Sequence, residues 1–372
     1  MKKLALVLCM TLVCISAFAQ CVSAGQIYTK DQMRPIFVTV PARNVNFATL
    51  GTDTNVTIPF FTNTITSPLD GRTYTFQIVG SDPTKRPKST TVKYLPIMLR
   101  VHFSDGTVLD PTKPGCNDTV SVEKRFFNSP LFRHVPLGSN GVDVGDTQII
   151  DGFQRAEFWN LVKGTNYHVL LSPAADVNVI DVDAPAGSTT QAGACTGQSH
   201  NLGMISFGGW DNILRGVINQ FASTDQLPII AAYNVVETSG GCCIIGYHNA
   251  FGRSGGTQTY ATGAYTDAGI FRAAGIADIH AWTHEMGEWA NDPFINNGTP
   301  AWGHVGQVGG CQGNLEVGDP LTGTPFHIWF NGFHYHPQEL AFFSWFFRTP
   351  SIGTHHLYSY KGSFTSSQGV CH

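Results

Sequence analysis

Charge is what this chain has least of. Of its 372 residues only 13% are Asp, Glu, Lys or Arg, about half the share usual in soluble domains. Disordered segments are charge-rich and aromatic-poor, so a chain with 12% aromatic residues and so few charges is a folded one. Lysine and arginine number 22 against 26 acids, a net charge of −4. Without a basic excess there is no electrostatic footprint for nucleic acid. No Cys-x-x-Cys pair occurs, which argues against a cysteine zinc site. The chain has no Gly-x-Ser-x-Gly elbow for a serine hydrolase. Glycine runs such as Ser254-Gly255-Gly256 lack the lysine of a phosphate loop. After the N-terminal segment no run reaches the ~18 apolar residues of a membrane helix. What is abundant is glycine, 40 residues, on a chain long enough for a full core and for two domains.

The first residues read as an export signal. Lys2 and Lys3 precede an almost continuous apolar stretch from Leu4 to Ile15, and Ala17-Phe18-Ala19 is an A-x-A cleavage site before Gln20. Removing residues 1–19 takes away two lysines and no acid, which changes the net charge from −4 to −6. Cys9 and Cys14 leave with that segment, so seven of the nine cysteines remain: Cys21, Cys116, Cys195, Cys242, Cys243, Cys311 and Cys371. An odd number leaves one thiol over. Cys21 is a candidate for lipidation, but Phe18-Ala19-Gln20 lacks the small residues of a lipoprotein signal, so cleavage after Ala19 is preferred. The other six are expected to be oxidised outside the cytoplasm. Cys242 and Cys243, being adjacent, are expected to reach distant partners such as Cys195 or Cys311.

Along the chain the expected fold class is α+β. Residues 20–120 form a β-rich region with short β-branched and aromatic runs at Ile36–Val40, Thr73–Val79 and Thr91–Met98. Residues 121–372 read as a mixed α/β domain. Helices are expected at Gln148–Val162, Trp210–Phe221 and about Phe271–Ala290, with strands at Tyr167–Leu171 and Ile229–Val236.

The chemistry concentrates on the third helix. Only seven glutamates exist, and three of them, Glu285, Glu288 and Glu316, fall within 32 residues. Thr283–Phe294 contains His284-Glu285-x-x-Glu288, a pattern that chance places in about one chain in 200 of this composition. Residues i and i+4 share a helix face, so His284 and Glu288 can hold one metal ion, as the two histidines of HExxH do. Glu285 is offset as a general base, with Trp282 and Trp289 on its side to desolvate it and raise its pKa. A catalytic zinc takes three protein ligands. Glu316 is the best third, with Asp292, Asp319 and His248 as rivals and His280 as an outer or alternative ligand. A metal-free polar cluster on a half-buried helix is the competing reading, weakened by the cost of burying two nearby carboxylates without a cation. Further on, His334, Tyr335 and His336 are placed to stabilise an oxyanion, although Phe342, Phe343, Trp345 and Phe346 mark an aromatic packing segment.

HEMGEWANDP followed by LEVGDP resembles the HExxE…DP…E-[IV]-[AG]-D pattern of a broad group of secreted bacterial proteins that extends to the plant phosphate-induced Exordium-like proteins. Cys243–His248 is similar to the C-G-Y-H element of that group. Thr147–Trp159 and His336–Phe346 resemble uncharacterised secreted bacterial proteins. The resemblance spans about residues 145–372 and implies a zincin-like domain, with one zinc per chain, in the 121–372 region. The expected function is a secreted zinc-dependent metallohydrolase acting on a peptide or protein. The alternative is a non-enzymatic extracellular or cell-surface binding protein on the same scaffold. Ligation by His284, Glu288 and Glu316 would neutralise a divalent ion, so it would acidify its water less than an ion held by neutral histidines.

Overall fold

The computed structural model describes residues 26–48, 50, 57–273, 275–367 and 371. The export signal and Cys21 lie outside the described residues. The protein is a mixed α/β structure richer in strand (38%) than in helix (18%), and a curled sheet sets its frame. Eleven strands form that sheet. Its main path runs Thr189–Gln191, Leu202–Ser206, Val235–Thr238, Cys242–Arg253, Gly256–Tyr265, Gln226–Tyr233, Ser89–His102 and Val108–Leu109. Met33–Phe37 pairs in parallel with Cys242–Arg253, and His168–Pro173 and Asn178–Asp183 pair in parallel with Ser89–His102. One sheet therefore draws strands from both the front and the rear of the chain.

The centre of the sheet is Gln226–Tyr233, parallel to both neighbours. A strand covered on both faces must be apolar along its whole length, and Leu227, Ile229, Ile230, Ala231 and Ala232 are all buried. The sequence pattern predicts that this strand continues to Val236. It stops instead at Asn234, whose φ of 51° turns the chain into the separate strand Val235–Thr238. Asn234 tolerates the left-handed conformation because its amide bonds both ways to Asp267, donating to Oδ2 (2.9 Å) and accepting from the backbone N–H (2.9 Å).

Strand Thr73–Val79 forms as expected and pairs with Phe60–Thr66. The expected helix at 148–162 is two, Ile149–Glu157 and Trp159–Val162. Helix Phe207–Phe221 begins three residues earlier than expected because Ser206 caps it, its hydroxyl accepting from Gly209 N–H. The third helix is shorter than the sequence suggested, His280–Asn291. Asp278, with φ 43°, ends the preceding turns and accepts from Ile279 N–H through Oδ1 (2.6 Å). The helix is buried along its whole length, packed on strands Cys242–Arg253 and Gly256–Tyr265. Phe342, Phe343, Trp345 and Phe346 are buried as core.

All six cysteines after Cys21 are paired: Cys116–Cys195, Cys311–Cys371 and Cys242–Cys243. The last pair corrects the expectation of distant partners. The peptide between the two residues is cis and their Cα atoms are 3.0 Å apart. Among the described residues no helix is long and apolar enough to cross a membrane. The disulfides are compatible with an extracytoplasmic protein.

Candidate metal centre

The buried helix His280–Asn291 faces strand Cys242–Arg253 through Glu285 and Glu288. Gly246 and His248, two residues apart, point to the same side of that strand. A Cβ at Gly246 would stand 2.9 Å from Glu285 Cγ, so the missing side chain is what admits the glutamate. His248 then receives it, with Nδ1 3.1 Å from Glu285 Oε2. Downstream, the hairpin Gly298–Val305 with Val308–Asn314 leads into Glu316 and the 3-10 turn Asp319–Leu321. Gly318 lets that turn pass against the His284 ring, where a Cβ would come within 2.5 Å.

Glu288 is the hub. Its Oε1 accepts from the backbone N–H groups of Gly318 (3.0 Å) and Asp319 (3.2 Å) and lies 3.0 Å from His284 Nε2. Its Oε2 lies 3.7 Å from His248 Nδ1. Two donor sets share this carboxylate, each with ligand atoms within 4.8 Å of one another: His284, Glu288 and Asp319, and His248, Glu288 and Glu316. Of the three ligands read from the sequence, Glu288 thus meets both others, while His284 and Glu316 fall into different sets. Asp319 and His248 each complete one. Asp292 joins neither, because its carboxylate accepts from the N–H groups of Asn296 (2.9 Å) and Asn297 (3.1 Å) and shapes the turn after the helix. His280 is buried beside the site, and among the described residues neither ring nitrogen has a hydrogen-bond partner.

Every one of these side chains is buried, and Glu285, Glu288, Glu316 and Asp319 are each no more than 4% exposed. No lysine or arginine pairs with any of them among the described residues. The consequences follow from desolvation and mutual repulsion. Burial and the charge of Glu288 push the carboxyls of Glu285, Glu316 and Asp319 upward. Burial likewise takes Asp292 up to about 7. Burial opposes the charge of Glu288 too, but His284 and its hydrogen bonds hold that carboxyl below its ordinary value. Burial would lower His284, yet Glu288 and Asp319 push it up to about 10, whereas His248 is carried by burial down to about 4.

The two histidines differ in tautomer as well. His248 Nε2 is 3.2 Å from the Asp292 carbonyl, which only an N–H can satisfy, so Nδ1 presents a lone pair toward Glu285 and Glu288. At His284 the amide of Gln338, also bonded to Gly318 O (2.9 Å), sets its N–H against Nδ1 (2.9 Å). An N–H of His284 therefore sits on Nε2, 3.0 Å from Glu288 Oε1 and 3.5 Å from Asp319 Oδ1, while the Gln338 N–H at Nδ1 opposes the second proton that those carboxylates favour. Glu316 Oε2 and Glu285 Oε1 are buried with no hydrogen-bond partner. The His248 lone pair lies beside the shared Glu288 carboxylate, and the orphaned Glu316 oxygen lies at the other edge of the ring, 4.0 Å from Nε2; donors of these types within 4.8 Å of one another are what a hard or borderline cation requires. The residues of the His248 set fit a divalent metal.

Sequence reasoning did not find Gln338 or Phe37. Phe37, on the N-terminal strand Met33–Phe37, stacks flat on the His284 ring with centroids 3.4 Å apart. Its backbone is tied to Gln307, which also bonds Asp319. Tyr335 does not serve as an oxyanion donor here, since its hydroxyl donates to the Arg125 carbonyl (2.9 Å). No family model, curated protein or solved structure matches the chain.

Proposed function

We propose that the protein is a secreted, zincin-like metal-dependent hydrolase of peptides or proteins, with one divalent ion, zinc, held by His248, Glu288 and Glu316. The observation that carries this reading is negative charge without a matching cation. Glu285, Glu288, Glu316 and Asp319 are buried together, and the only basic groups among them are imidazoles. Uncompensated burial of carboxylates is costly, and a divalent ion removes that cost. The tautomer of His248 favours its set over that of His284, which serves Glu288 as a proton donor. When bound, such an ion supplies Lewis-acid polarisation to a substrate carbonyl and to water. Glu285 faces His248 through Oε2, and the burial that raises its carboxyl makes it a stronger proton acceptor once ionised, as a general base must be. Phe37 and its strand exclude water above His284. The Lys2–Ala19 segment, read as a cleaved signal, and the three disulfides support export, and the likeness to the Exordium-like group rests on HExxE and LEVGDP.

Closure of the site favours a second reading, a binding protein with a structural ion, because structural sites are closed and catalytic ones keep an open position. Metal analysis of the untagged protein, followed by assay on peptide libraries, tests both. One zinc per chain together with cleavage that falls at least ~10²-fold in Glu285→Gln supports the hydrolase. Zinc without cleavage supports the binding protein. Folded protein that neither contains nor takes up zinc overturns both.

A further inference from the structure

A second cluster of histidines lies outside the buried centre. Ile328–Phe330 and Phe333–Tyr335 form a hairpin in the register Ile328↔Tyr335 and Trp329↔His334. Successive residues of a strand face opposite sides, so His327, Trp329, His334 and His336 share one face of this hairpin and its immediate extension. The three imidazoles close on one another, with ring centroids 4.7 Å apart for His327–His334, 4.6 Å for His334–His336 and 5.3 Å for His327–His336. Each offers a ring nitrogen within 4.8 Å of the other two. Three imidazoles around one zinc ion, at about 2.0–2.1 Å from metal to nitrogen, hold their centroids roughly 5 Å apart.

One of the three rings is already oriented as a ligand is. The buried carboxylate of Asp278 accepts from the His336 backbone N–H (2.9 Å) and pairs with His336 Nδ1 (2.6 Å). Among the described residues, His336 Nε2 has no hydrogen-bond partner. A carboxylate on the far nitrogen is how metal-bound histidines are commonly fixed. His327 is exposed, and His334 and His336 are half-buried, so the cluster opens to solvent as the buried centre does not. Trp329, 74% exposed, stacks on His334 with centroids 4.5 Å apart.

We propose that His327, His334 and His336 form a surface site for a transition-metal ion, of the class that neutral imidazoles select: zinc, nickel or copper(II). The site is independent of the reading given to the buried centre. Its ligands come from the protein at three positions, so the ion keeps open positions and exchanges with solvent.

The test is titration of untagged full-length protein with nickel(II) and, separately, copper(II), read by quenching of Trp329 fluorescence and by ion stoichiometry. Glu288→Ala, which disables the buried centre, should still bind one ion with the wild-type midpoint. His327→Ala, at an exposed ring, and His334→Gln, at a half-buried one, should each weaken binding at least ~10-fold, and the pair together ~100-fold. Asp278→Asn should weaken it ~10–100-fold, the size expected for loss of an orienting partner. A His327→Ala/His334→Gln double variant that melts like wild type and titrates with an unchanged midpoint overturns the proposal. So does wild-type protein that takes up no ion at millimolar metal.

Discussion

Replacing Glu288 tests the electrostatics of the buried centre directly. Its carboxylate accepts from two buried backbone amides, lies 3.0 Å from His284 Nε2 as an ion pair, and faces His248 with its other oxygen. Glu288→Ala leaves Gly318 N–H and Asp319 N–H without an acceptor and His284 without its ion-pair partner, and removing one partner of a buried ion pair costs about 3–5 kcal/mol. In a chain of this length ~2 °C of melting temperature is lost per kcal/mol, so a fall of roughly 6–10 °C is expected. Glu288→Gln separates the contributions. Its amide oxygen still accepts from both backbone N–H groups, so most of the hydrogen bonding survives while the charge does not. Both variants should lose the metal, and Gln should melt above Ala. Calorimetry and elemental analysis of wild type and the two variants give the answer. A Glu288→Gln protein with wild-type metal content would refute the assignment of Glu288 as a ligand. Equal melting of all three would refute the account of its hydrogen bonds.

Glu157, buried against Phe343 N–H (3.1 Å), is pushed by burial up to about 8, well above the ~4.3 of an unfolded chain. Its folded-state proton is bound more tightly, so this stabilisation is full below about pH 4 and is lost as pH rises to about 8. Glu157→Gln should remove up to ~1.4 kcal/mol per pH unit of that decline, seen as a flatter denaturation midpoint between pH 5 and 8; an unchanged slope would show that Glu157 is ionised in the folded protein. Gly318→Ala puts a methyl 2.5 Å from the His284 ring and should cost about 1–3 kcal/mol by overpacking, with weaker zinc retention in a chelator competition; wild-type behaviour would mean the turn shifts freely. Phe37→Ala uncovers His284 and should speed zinc loss to a chelator several-fold with little change in the equilibrium midpoint, while an unchanged rate would show that Phe37 does not control access.

The helical part of the site was legible because it depends on spacing alone. His284 and Glu288 are one turn apart wherever a helix forms, and Pro293 marks where it must end. The start of that helix was misread because apolar Phe271, Ile276 and Ile279 continue the pattern, while Asp278 breaks it by a backbone conformation that periodicity does not register. The sheet partners were harder. His248 was named only as a rival, yet it lies across the strand from Glu285 because Gly246 makes room for the carboxylate, a contact between positions 37 residues apart. Gln338 and Phe37 carry no chemical signature in a sequence, and their roles come from where the loop and the N-terminal strand cross the helix.

The glutamates themselves provide an internal comparison for the metal argument. Six of the seven are buried, although glutamate is ordinarily a surface residue. Glu339 is what a satisfied buried carboxylate looks like in this fold. Its oxygens accept from Ser359 Oγ (2.6 Å), Lys361 N–H (2.9 Å), Ser363 N–H (3.2 Å) and Ser363 Oγ (2.7 Å). Glu316 has only Asn314 Nδ2 (3.0 Å), and its second oxygen faces His248 unpaired. The chain has hydroxyls and amides enough to surround a carboxylate where one must be held without a cation. At Glu316 it supplies one amide and then a neutral imidazole and another acid. Glu157 and Glu237 are also buried with one oxygen unpartnered, and burial raises both carboxyls, so a single buried glutamate is tolerated here by holding its proton. What sets the cluster around Glu288 apart is several carboxylates within reach of one another and of two imidazoles, and that crowding is the argument for a cation.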